Sequence, residues 1–247
     1  MKNPIVISYR HRMHPASKGF TLMETVIAIG VLAVLLTGFL AVFTPAAQGI
    51  RRSISSQQAD RLATGLEQEL VTLRPGQETG TIKTGFDKGF EWIKDAGNPN
   101  SALFVYQYRG DISSLRTDGT PEPMDAIEGQ PGVDYVIQSM VRKANDPEFT
   151  EDLQAIEGTI FYVKPTQLIR NEDKMSLGKI GEISNPKGEN PAKASSASEY
   201  KDAVITFTAE FYGVPTKASS YLTGTKFRDR FNSARNPIFT RNLAIRR

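Results

Sequence analysis

The feature that most constrains this chain is residues 20–43, FTLMETVIAIGVLAVLLTGFLAVF, in which eighteen of twenty-four side chains are apolar and only Glu24 is charged. At about 1.5 Å per residue, such a helix spans roughly 36 Å, enough to cross a bilayer. From Thr25 to Phe43 there is no charge, and by length this separates a membrane span from a buried core helix of about ten to fourteen apolar residues. Four basic residues, Lys2, Arg10, Arg12 and Lys18, precede the span, and no acidic residue does. That asymmetry predicts a cytoplasmic N-terminus.

A basic block followed by an apolar run has the outline of a secretory signal, but the run is too long. The stretch after it, FTPAAQG, offers an indifferent cleavage site, because Pro45 sits three places before a cut after Ala47. An uncleaved signal anchor explains length and orientation and leaves Glu24 unexplained. A carboxylate inside hydrocarbon is costly and marks function by default.

The segment Lys18-Gly19-Phe20-Thr21-Leu22-Met23-Glu24 resembles the processing motif of type IV prepilins and of type II secretion pseudopilins. The resemblance implies that a prepilin peptidase cuts after Gly19 on the cytoplasmic side and that Phe20 becomes the N-methylated N-terminus. It makes Glu24 the fifth residue of the mature chain. It further implies a single-pass inner-membrane protein whose head lies in the periplasm or outside the cell, built with other pilin or pseudopilin subunits on an assembly platform. In that setting the new amine on Phe20 is the natural partner of a neighbouring subunit's Glu24, and the pair sets the axial register. The lack of Cys excludes the C-terminal disulfide loop of many adhesive pilins. With the large mature length, this favours a minor or system-specific subunit. Residues 19–52, with Phe43-Thr44-Pro45 and the arginines Arg51 and Arg52, are also similar to prepilin-type cassette proteins of the Verrucomicrobia, a likeness that implies no activity.

After the span, Pro45 is expected to bend or loosen the helix. Ile50, Ile54, Leu62, Leu66, Leu70 and Leu73 then form an apolar stripe that predicts an amphipathic helix over 46–73. Asp60, Glu67 and Glu69 fall on its other faces, and Arg74-Pro75-Gly76 stops it. Farther on, 79–86 and 90–93 around Asp87-Lys88-Gly89 read as a hairpin, and 95–99 as a turn cluster. Strands are predicted at 101–109, 133–141, 158–164 and 203–212 from their β-branched and aromatic content, with a terminal strand in 236–247. In 203–212 the alternation of Ile205, Phe207, Ala209 and Phe211 with polar residues predicts a sheet packed on one face, against the helix stripe. Residues 117–131 should wrap the surface, and 184–199, without Val, Ile, Leu, Phe or Met, should be a mobile loop. The expected fold is therefore α+β and pilin-like: a leader over 1–19, a membrane helix over 20–43, an amphipathic helix over 44–73, and an antiparallel β-rich head over 74–247.

The chemistry available to the mature chain is narrow. Both histidines, His11 and His14, lie in the leader and there is no Cys, which removes Ser-His-Asp and Cys-His catalysis and the common zinc sets. Glu151-Asp152 and Asn171-Glu172-Asp173 read as solvated turn charges. No enzyme activity and no cofactor is assigned; the acidic turns carry oxygen ligands of the kind calcium takes, but no loop has EF-hand spacing. Without the leader the chain carries 26 basic against 27 acidic residues, so its basic balance is no argument for nucleic acid. The tail 226–247 holds seven basic residues, including Lys226, Arg228, Arg241 and Arg247, against Asp229 alone. It reads as a solvated face with a terminal strand, or else as a contact for an anionic partner. The rival reading of the whole is an uncleaved, signal-anchored single-span protein whose head binds an envelope ligand; a secreted enzyme is a distant third.

Overall fold

The computed structural model describes residues 19–125, 129–171, 174–186 and 192–247. The leader before Gly19, Glu172, Asp173 and residues 187–191 of the loop expected to be mobile lie outside them. The chain divides into two units, Met1–Ile50 and Arg51–Arg247.

In the first unit, helix α1 (Leu22–Val71) starts two residues after Phe20 and passes Pro45 without interruption, where a bend or loosening was expected. The run is helical because its polar atoms find partners within it. Thr37 and Thr44 donate their hydroxyls to the carbonyls of Ala33 and Leu40, four residues back, at 2.8 and 2.9 Å. Its large apolar side chains all face outward, from Leu22 at 86% exposure to Leu40 at 51%. A soluble protein's core helix buries such a stripe; this one buries none of its most apolar window. The helix is long and apolar enough to cross a membrane.

The second unit begins inside the same helix. Ala59, Leu62, Ala63, Leu66 and Leu70 are buried at the expected spacing, whereas Ile50 and Ile54, the first two members of the predicted stripe, are exposed. The rest runs α2 (Gly85–Asp95), β1 (Leu103–Leu115), β2 (Pro121–Pro123), β3 (Tyr135–Lys143), α3 (Pro147–Asp152), β4 (Ile156–Asn171), β5 (Lys174–Leu177), β6 (Val204–Gly213), α4 (Ser219–Leu222), α5 (Thr225–Asn232) and β7 (Phe239–Arg246). The strands form one seven-stranded antiparallel sheet in the order β2-β1-β4-β6-β7, with β3 also paired to β1 and β5 to β4. Pairs such as Val163 with Phe211 and Phe207 with Leu243 set its register. This is the α+β, pilin-like arrangement expected: a long apolar N-terminal helix followed by an antiparallel sheet head.

Two features differ from expectation. The predicted hairpin around Asp87 is helix α2. Thr84 and Asp87 close a capping box at its start, each side chain accepting from the other's backbone N–H, and Phe86, Phe90 and Ile93 then recur at helical spacing on its buried face. Gly85, placed in the predicted strand, and Gly89, placed in the predicted turn, instead permit close packing. A Cβ at Gly85 would lie 1.8 Å from the carbonyl oxygen of Val71, and one at Gly89 3.0 Å from that of Leu70.

The second difference is that the sheet is packed on both faces. Leu103, Val105, Phe161, Val163, Ile205, Phe207, Phe211 and Ile245 meet α1 and α2, as the alternation predicted. The intervening Phe104, Tyr106, Tyr108, Tyr162 and Tyr212 face the other way and are buried under Phe149 of α3 and Phe227 and Phe231 of α5. Phe104 stacks on Phe149 at 4.5 Å between ring centroids. Short helices with one or two aromatic anchors each cover this face, too short for periodicity to announce them. Loop segments join the core as well. Asp118 and Thr120, in the stretch expected on the surface, are buried, and Ala194 and Ala197, in the loop expected to be mobile and outside the core, pack under Tyr200 and α2. Ser184 and Lys193 are bridged through their backbones.

Candidate functional site

The residues singled out at the N-terminus are Gly19, Phe20 and Glu24. Phe20 is 89% exposed, and a Cβ on Gly19 would meet no described residue within 4 Å, so packing among the described residues does not demand glycine there. Glu24 lies in the first turn of α1. Its Oε2 accepts the backbone N–H of Thr21 at 2.9 Å and the Thr21 hydroxyl at 2.8 Å, while the Glu24 N–H donates back to Thr21 Oγ1 at 3.2 Å. The carboxylate thus satisfies the end of its own helix, in a reciprocal cap of the Thr-x-x-Glu kind. Thr21 was missed as a functional partner, although Thr followed three residues later by Glu is a readable signal. Both accepted bonds end on Oε2, which leaves Oε1 directed to no donor of this chain among the described residues.

In the head, polar groups are buried in two places. At the end of α1, Glu69 accepts a two-pronged bond from Arg74 (3.0 and 2.7 Å) and one from Lys88 Nζ at 2.7 Å. Lys88 also donates to the Thr72 carbonyl and stands 4.5 Å over the Trp92 ring. Glu69 was expected on a helix face away from the apolar stripe and Lys88 in a turn; each is buried because the other neutralises it. Burial drives the Lys88 ammonium below its ordinary pKa in spite of Glu69.

The second place surrounds Arg142, which faces Asp118, Asp146, Glu148 and Asp152. Asp152, read from sequence as solvated, is fully buried; it accepts from the Tyr106 hydroxyl and from Arg116, which also binds Glu151. Beside this network lies a groove of about 640 Å³ whose lining includes Arg116, Glu122, Asp125, Glu148, Glu151 and Gln154. Among the described residues, no cluster of three or more His, Asp or Glu side chains is arranged to hold a metal ion. The basic tail is largely tied to the fold. Arg241 binds Asp60 at 3.2 Å and Arg247 binds the Ala197 and Tyr200 carbonyls, while Lys226, Arg228 and Arg246 are exposed.

Among the described residues, one apolar helix is of membrane length, and an α+β head follows it. The family model described as the prokaryotic N-terminal methylation motif matches residues 15–40, spanning Gly19, Phe20 and Glu24. The chain therefore carries a prepilin-type methylation motif, which supports a type IV pilin- or pseudopilin-like role, points to a structural subunit rather than an enzyme, and with the apolar helix suggests membrane anchoring. No curated protein and no solved structure matches the chain.

Proposed function

We propose that this protein is a minor or system-specific subunit of a type IV pilus or pseudopilus, cut after Gly19 by a prepilin peptidase, N-methylated on Phe20 and assembled through its N-terminal helix. The observation that carries the reading is the methylation motif placed directly on an outward-facing apolar helix. The basic leader argues for insertion in the inner membrane with the N-terminus inside and the head in the periplasm or beyond. Other pilin-like subunits and an assembly platform are its expected partners; no role with nucleic acid is assigned.

Glycine at position 19 has no packing reason among the described residues, which favours a demand imposed by the peptidase. In this reading Glu24 has two tasks. One oxygen caps its own helix, and the other is free for the Phe20 amine of a neighbouring subunit, fixing axial register.

Intact mass and N-terminal peptide sequencing of the protein from its own host test the proposal. The expected chain begins at Phe20 with the mass of one added methyl group, and Gly19→Val retains the leader. Met1 retained in the native protein establishes the signal-anchored alternative, and a cut near Ala47 makes the apolar run an export signal. Glu24→Ala is expected to be processed but to assemble poorly; filaments at normal abundance would falsify the charge-register role.

A further inference from the structure

The second face of the sheet carries unpartnered charge of both signs. The groove of about 640 Å³ has Glu122 and Asp125 on the β2 side and Glu148 and Glu151 on the α3 side. Arg116, the cation of its lining, is already held by Asp152 at 2.8 Å and Glu151 at 2.9 Å. Glu122 and Asp125 are exposed, and neither side chain has a hydrogen-bond or ion-pair partner among the described residues. On α5, Lys226 and Arg228 are in the same condition. They are two of the tail cations that the sequence left open for an anionic partner, and Asp229 is the acidic residue of that helix.

Aromatic contacts fix where the two patches lie. Phe227 of α5 packs on Phe104 at 5.0 Å between ring centroids, and Phe149 of α3 lies against Phe104 and Tyr106 at 4.5 and 5.6 Å. The Tyr108 hydroxyl donates to the Pro121 carbonyl at the start of β2, at 2.7 Å. Phe104, Tyr106 and Tyr108 succeed one another on one face of β1, so α5, α3 and the groove succeed one another across that face. Four residues of strand, about 13 Å, part the first from the last. The cations of α5 and the carboxylates of the groove therefore share a face but stand on opposite sides of α3, and they form no ion pair within the head.

We propose that this face docks a second copy of the chain: Glu122 and Asp125 in the groove take the partner's Lys226 and the partner's Arg228, and the partner's groove takes Lys226 and Arg228 in return. An acidic and a basic patch side by side on one face are self-complementary about a two-fold axis, because each contact is then made twice. Such complementarity selects and orients the partner more than it adds affinity. An anionic lipid surface fits the face less well. It would take Lys226 and Arg228 but would be repelled by the carboxylates on the far side of α3, little more than one screening length away. The inference does not rest on cleavage after Gly19, since every residue it uses lies in the head.

The test is zero-length coupling of amines to carboxylates by a carbodiimide. It is run on an equal mixture of light- and heavy-nitrogen-labelled full-length chain in detergent micelles. Peptides joining Lys226 to Glu122 or Asp125 are expected with the two labels mixed, which marks them as coming from two copies. Raising the salt from about 0.05 to 0.5 M shrinks the screening length to about 4 Å and should cut their yield about tenfold. Glu122→Lys with Asp125→Lys sets cations against cations, and Lys226→Glu with Arg228→Glu sets carboxylates against carboxylates. Either double variant alone should lose the coupling between the patches. Mixed together, the two restore opposite charges at both contacts of the two-fold and should recover it, a rescue that a damaged fold would not give. Groove peptides coupled only within one chain, groove peptides coupled between copies to a lysine other than Lys226, or no coupling in the mixture of the two double variants each overturns the proposal.

Discussion

The helix before Ile50 and the head that begins at Arg51 satisfy their polar groups in opposite ways. In the first, apolar side chains face outward and every polar contact that matters is local: Thr37 and Thr44 return to carbonyls one turn back, and Glu24 closes its own helix start on Thr21. In the second, Glu69 meets Lys88 across nineteen residues and Asp152 meets Tyr106 across forty-six. A segment suited to lipid has to satisfy its backbone by itself, because its surroundings supply no hydrogen bonds. A water-soluble head buries charge wherever the fold brings a partner. The contrast teaches that the first region is robust to changes elsewhere in the chain, whereas the second depends on distant pairs.

The largest expected break is Glu69→Ala. It strands the Lys88 ammonium in the core and should cost the head about 3–5 kcal/mol in denaturant unfolding, while N-terminal processing, measured by mass, stays intact. A double variant, Glu69→Leu with Lys88→Leu, should recover most of that loss, since well-packed apolar pairs replace buried ion pairs at little cost. Gly85→Ala comes next. The added Cβ meets a backbone carbonyl that cannot move aside, so a loss near the upper end of ordinary overpacking, about 3 kcal/mol, is expected in the same unfolding assay.

On the other side of the comparison, Thr21→Ala removes the reciprocal cap. It should speed amide exchange in the first turn of α1 about fivefold, the scale of a lost N-cap, without altering head stability. Arg241→Ala cuts an exposed pair with Asp60 and should cost only about 0.5 kcal/mol, removable by salt. A larger loss there would mean that the tail ties β7 to the helix more tightly than an exposed ion pair can.

Much of the fold was legible in local pattern. The strands around Leu103, Val163 and Phe207 and the stripe through Leu62, Leu66 and Leu70 were readable because period-two and period-3.6 patterns report burial directly. Helix α2 was misread because Asp87-Lys88-Gly89 also spells a turn; the capping box Thr84-x-x-Asp87 was the competing signal. The second sheet face was invisible for another reason. Tyr106 and Tyr162 alternate with apolar neighbours, so both faces read as apolar, and the aromatic anchors of α3 and α5 lie far off in sequence. At the N-terminus the motif residues were legible, but the Thr21 partner of Glu24 was not sought.

By itself the sequence determined that an apolar helix with one carboxylate at its start runs through 22–43, and that a sheet-rich head follows. Those outcomes depend on length, composition and contacts within a few residues. Only the tertiary structure decided that Glu69 and Lys88 are interior, that α3 and α5 cover the second face, and that Arg142 gathers four carboxyl groups beside a groove. A charge is tolerated inside only where another is brought to it, and the chain must fold before that meeting is defined.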